Sequence, residues 1–129
     1  MLMTMDRLFA VLGALAAGLA VALGAFGAHA LRARLTPETL ATFETGVRYH
    51  MYHALALFAV AIVVGKWPSS TWAAAAGWLF VVGILIFSGS LYLLAVTGIR
   101  WLGAITPIGG VAFLAGWACL ALAAARSLS

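Results

Sequence analysis

The chain has 129 residues, of which 66% are hydrophobic and 8% charged, and its mean hydropathy is +1.15. A soluble domain carries about 25% charged and about 45–50% apolar residues, so this composition belongs in a bilayer, and the length leaves no room for a separate soluble catalytic domain. Seven Lys and Arg against three Asp and Glu give a formal charge of +4. The cations stand singly, mostly at the ends of apolar runs, where they anchor helices and attract lipid headgroups, which sets nucleic acid aside.

The first apolar stretch covers residues 8–30. Arg7 before it and Ala28-His29-Ala30 at its end imitate a secretory signal with a small-x-small cleavage site. The stretch is longer than a signal core and three more follow, so it is read as a retained helix. Thr36 can then cap a helix that opens with Pro37 and Glu38. Leu40, Phe43 and Val47 share one of its faces, which predicts a short amphipathic helix over residues 37–46, lying in the interface and running into the second span. That span is residues 47–65. The turn Lys66-Trp67-Pro68-Ser69-Ser70 leads to the third, 72–96, and the tighter Thr97-Gly98-Ile99-Arg100 to the fourth, 101–125, so the last two form an antiparallel hairpin. Each stretch can cross a hydrocarbon core about 30 Å thick at about 1.5 Å per residue. The alternating pattern of a membrane barrel is absent. The expected fold is all-α: one integral membrane domain, residues 1–129, built as a four-transmembrane-helix bundle.

Membrane helices associate where small residues let backbones approach. Gly13, Ala17, Ala20, Gly24 and Gly27 make such a seam on the first helix, and Gly109, Ala112, Gly116, Cys119 and Ala123 another on the fourth. Ala76, Gly83 and Ser90 do the same on the third. Cys119 is the single cysteine and reads as a packing residue. The remaining lipid-facing surface leaves room for a second copy or another membrane protein.

Folding the spans up and down brings nearly everything polar to one membrane face: His29, Arg48, Tyr49, His50, Tyr52, His53, Ser88, Ser90, Tyr92 and Thr106. They fall between that interface and a depth of about 13 Å, and the opposite half is almost wholly apolar. Pro107 should kink the fourth helix and free backbone groups at the same depth, giving a half-depth polar pocket. Each member also has a plainer role. His50 and His53, at i and i+3, could bind a metal or relay a proton with His29. No nearby Asp, second Cys or HExxH spacing supports a metal, so interfacial hydrogen bonding is expected, with no metal, cofactor or catalytic residue. Glu44 and Arg48 have the spacing of a helix-stabilising pair. The serines lack a general base and read as interhelical hydrogen bonders, while Trp67, Trp72, Trp78, Trp101 and Tyr92 read as interfacial anchors. Basic residues are too evenly divided between the two faces to set the orientation.

Four segments carry a family resemblance: GAFGAHAL at Gly24 to Leu31, Phe43 with Tyr49-x-x-Tyr52-His53-Ala54, FSGSLYLLA at Phe87 to Ala95, and ITPIGGVAFLAGW at Ile105 to Trp117. Together they resemble the domain-of-unknown-function 423 family of small bacterial inner-membrane proteins, which has a eukaryotic relative called transmembrane protein 256. The resemblance covers almost the whole chain. It implies four transmembrane helices, a bacterial plasma membrane and both termini in the cytoplasm, with the polar cluster facing the periplasm, and it supplies no activity. A non-enzymatic structural or accessory protein is the leading expectation. The alternative is a small oligomeric proton-linked transporter or channel that uses the His/Ser/Thr pocket, with an intramembrane enzyme third. Against transport, no ionisable group is expected near the midplane, where coupled transporters place one.

Overall fold

A computed structural model describes residues 2–127. Among them every regular element is helical. They are α1 (Met5–Phe26), extended by a π-helical turn (Gly27–Leu31); α2 (Pro37–Lys66); α3 (Thr71–Gly83), a second π-helical turn (Ile84–Ser88) and α4 (Gly89–Thr97) in one line; and α5 (Leu102–Ser127). Four rods result, Met5–Leu31, Pro37–Lys66, Thr71–Thr97 and Leu102–Arg126, each long and apolar enough to cross a membrane.

The ends follow local chemistry. The Thr36 hydroxyl accepts from the Thr39 N–H at 3.2 Å, with Pro37 opening α2 and Glu38 in its first turn. Ser70 caps α3 by accepting from the Ala73 N–H at 3.3 Å. α4 stops at Gly98, whose φ of 71° is left-handed and needs a residue without Cβ.

The expected interfacial helix is not a separate element. Residues 37–46 are the first turns of the continuous 30-residue α2, which is about 45 Å long. The apolar face that looked suited to a membrane surface is used inside the protein instead. The Phe43 ring lies against Gly27 of the first span and 5.0 Å from the Tyr92 ring of α4. Leu40 and Val47 pack beside it, around buried Leu31 and Ala95.

The small-residue seams become the helix contacts. α1 runs along α2: a Cβ at Gly13 would lie 3.0 Å from the Ala54 carbonyl, at Gly24 3.3 Å from Val47, and at Gly27 2.9 Å from Phe43. Ala20 is buried between them and Ala17 half-buried. α5 packs on the third span in the same way, with Gly109 against the Phe87 backbone, Gly116 against the Phe80 ring, and Gly83 facing Phe113. Ala112 and Ala123 are buried in this contact, and Cys119 is half-buried beside the core. Phe9 crosses from α1 to lie over Gly77, with its ring 5.3 Å from that of Trp78.

α2 and the third span therefore form the centre, with α1 outside the one and α5 outside the other. Phe9, Leu57, Val60 and Phe80 fill the middle with almost no exposure. Two clefts open sideways beside α2. One, between α1 and the third span, is walled by Leu12, Leu15, Leu19, Leu23 and Leu85, with His50 and Tyr92 at its floor. The other lies between α2 and α5 and is lined largely by aromatic rings.

Candidate functional site

α2 carries both buried histidines. His50 and His53 are 2% and 4% exposed, one helical turn apart, on the side of α2 that meets the third span and α5. His53 lies about 24 Å along α2 from Pro37 and about 20 Å from Lys66, close to mid-depth. The expectation that the histidines sit in the outer third, leaving the midplane without an ionisable group, is thus corrected. Its cause is the length of α2: the helix begins ten residues earlier than the hydropathy boundary, and those turns stand upright in the bundle.

Both imidazoles are hydrogen-bonded, His53 at each of its ring nitrogens. The His53 Nδ1–H donates to the Tyr49 carbonyl at 2.7 Å, and its Nε2 accepts from the Trp117 indole N–H at 3.0 Å. A carbonyl cannot donate and an indole N–H cannot accept, so these partners fix the neutral Nδ1–H tautomer. The ring is also stacked on Phe113, 3.5 Å between centroids and 8° from parallel. His50 Nδ1 meets the Tyr92 hydroxyl of α4 at 2.8 Å. His50 thereby ties α2 to the third span.

The hydroxyls complete a second set of ties. Ser88, in the π-helical turn, donates to the Gly46 carbonyl of α2 at 2.7 Å. Ser90 donates to the Phe87 carbonyl at 2.9 Å and meets the Thr106 hydroxyl of α5 at 2.6 Å. Thr106 also reaches back to the Leu102 carbonyl at 3.4 Å. α5 continues as α-helix through Pro107. Among the described residues no buried side-chain nitrogen or oxygen lacks a partner.

The predicted polar face is therefore divided. His50, His53, Ser88, Ser90, Tyr92 and Thr106 meet inside the bundle, whereas His29, Arg48, Tyr49 and Tyr52 are exposed on its outer surface. Among the described residues no ion pair joins Glu44 to Arg48 and no group of three or more His, Cys, Asp or Glu could hold a metal. Tyr92 is not an interfacial anchor: it fills the gap over Gly46 and bonds His50. Lys66 lies 5.0 Å from the Trp67 ring and Arg126 5.6 Å from that of Trp72, on the side of the termini.

Sequence reasoning passed over Trp117 and Phe113, which complete the His53 setting. A signal for Trp117 was available. A tryptophan in mid-helix is far from the interfacial belt, and its N–H needs an acceptor that hydrocarbon lacks.

Comparison with known proteins gives a consistent match. The family model described as "Protein of unknown function (DUF423)" matches residues 23–110. The chain is 52% identical to the UPF0382 membrane protein YwdK of Bacillus subtilis, over 95% of this chain and 99% of that protein. It is 48% identical to UPF0382 membrane protein SH2409 of Staphylococcus haemolyticus, over 88% and 92%. It is 49% identical to SSP2132 of Staphylococcus saprophyticus, over 90% and 95%. No solved structure matches the chain.

Proposed function

The chain belongs to the DUF423 family of membrane proteins, and since that family name carries no activity, we propose from the site itself that it acts as a non-enzymatic accessory protein of the bacterial inner membrane. In this reading both termini are cytoplasmic, and a second copy or another membrane protein covers part of the lipid-facing surface. The polar residues brace the helices and do not line a path. The observation that carries this is the pairing at the centre. His50 with Tyr92, His53 with Trp117, Ser88 with the Gly46 carbonyl and Ser90 with Thr106 each tie one span to another. Around them Phe9, Leu57, Val60 and Phe80 occupy the interior.

Interhelical bonds of this kind contribute about 0.6 kcal/mol each and rarely more than about 1.7. Four together amount to about 2–3 kcal/mol, a meaningful share of the stability of a small bundle. Their directionality also fixes the rotation of each helix, which apolar packing alone leaves loose.

The mid-depth position of His53 favours a second reading, proton-linked transport, because an intramembrane ionisable group is where such coupling resides. Flux measurements in proteoliposomes under a proton gradient separate the two. The accessory reading expects no flux of protons, ions or small solutes above empty vesicles. A flux that is present in the wild type and lost in His53→Ala or Ser90→Ala would replace it with transport.

A further inference from the structure

The cleft between α2 and α5 encloses a volume of about 650 Å³, within the range of small-molecule sites, about 300–1,000 Å³. Its lining differs from that of the other cleft. Tyr52, Tyr49, Phe87, Phe113, His53 and Trp117 form an unbroken chain of ring contacts, with successive centroids 5.6, 4.9, 5.4, 3.5 and 5.8 Å apart. The cleft beside α1 is walled chiefly by leucines, a surface suited to an ordinary acyl chain. One bilayer thus meets two different lateral openings on the same helix.

Two polar groups in the aromatic cleft have unusual positions. Tyr49 and Tyr52 are 39% and 52% exposed, and among the described residues neither hydroxyl has a hydrogen-bond partner. Tyr52 lies at the midpoint of α2, about 20 Å from either end, and Tyr49 about one turn nearer Pro37. Membrane tyrosines normally sit at the interface, where headgroups and water receive the hydroxyl. Here the interface is about 15 Å from Tyr52 and about 10 Å from Tyr49 across hydrocarbon, farther in each case than a tyrosine side chain extends. The other donors of the cleft are already committed, the Trp117 N–H to His53 and the His53 N–H to Tyr49. Two phenolic donors therefore face a medium with no acceptors, which is costly unless something in the cleft accepts from them.

Depth restricts the chemistry of that acceptor. The ester carbonyls and phosphates of phospholipids lie at the interface, beyond reach. The occupant has to dissolve in the hydrocarbon, arrive sideways, present a flat face to aromatic walls and carry acceptor oxygens at its rim. We infer that this cleft binds the ring of a lipophilic quinone, with the Tyr49 and Tyr52 hydroxyls donating to its carbonyl oxygens and the ring lying among Phe87, Phe113 and Trp117. The inference is one of binding alone and goes beyond the accessory reading, which neither requires nor excludes it.

The full chain in phosphatidylcholine nanodiscs, titrated with a decyl-tailed 1,4-benzoquinone, tests the proposal through tryptophan fluorescence, which quinones quench. Quenching should contain a saturable component that disappears in Trp117→Phe. The double variant Tyr49→Phe/Tyr52→Phe keeps both rings and removes both donors, and it should weaken that component about tenfold. On the unaltered protein, decylbenzene has the same tail and a ring without acceptors, and it should fail to displace the quinone. Quenching that only rises linearly with quinone, that persists in Trp117→Phe, or that is unmoved by the double variant overturns the proposal. Equal competition by decylbenzene does so as well, and assigns the cleft to any hydrocarbon.

Discussion

A methyl group at Gly109 would collide with the backbone nitrogen and Cα of Phe87, which belong to a helix and cannot turn aside as the tip of a side chain can. At Gly18 the same methyl group would meet nothing within 4 Å. Gly109→Ala should therefore lower stability by about 1–3 kcal/mol through overpacking. Gly18→Ala should leave it unchanged or raise it slightly, since alanine is the better helix former. Thermal unfolding of the two variants in mild detergent checks the contrast. Gly109 was legible in the sequence as part of a seam, because close approach demands small residues. Gly46 and Gly77 were not, because each receives one large ring, Tyr92 and Phe9, from another helix, and a single contact leaves no periodic trace. The histidines were legible as a pair, but their partners were not. Trp117 is 64 positions from His53 and Tyr92 is 42 from His50, and only the fold brings them together.

At the scale of elements, hydropathy located all four spans, since the bilayer enforces long apolar helices whatever their packing. It misplaced the start of the second. Glu38, Glu44 and Arg48 make the first turns of α2 look interfacial, yet Phe43 and Leu40 on their other face are bound between the first and third spans. The π-helical turns also escaped sequence reading. A π turn holds one residue more than the regular helix, and it persists where tertiary contacts repay the wider geometry. At Ile84–Ser88 those contacts are the Ser88 bond to Gly46 and the approach of Gly109 to Phe87. Leu85 in this turn is 69% exposed and contributes little to packing. Deleting Leu85 should let α3 and α4 join as one regular α-helix with both flanking faces retained. Deleting Ala75 from α3 instead turns every later residue of that span off its partners. The yield of monodisperse protein after detergent extraction should stay near wild type for the first deletion and collapse for the second.

For the whole molecule, α2 is the organising member: α1 lies along one side, the third span and α5 meet the other, and both buried histidines project from it. Gly98 sets the hairpin that presents α5 to this centre. Gly98→Ala, forced into the left-handed region, should cost about 1 kcal/mol in the same unfolding assay without altering the interior. If the bundle is braced as proposed, paired polar groups hold the spans together. The most direct measurement is a double-mutant cycle on His53→Phe and Trp117→Phe, with unfolding free energies taken in bicelles. Each single change leaves the other partner's ring nitrogen without its hydrogen bond, and the double change removes both. The account predicts a coupling of about 1 kcal/mol, with the double variant more stable than the sum of the single losses implies. Losses that add to within about 0.3 kcal/mol would mean that the pair ties nothing together.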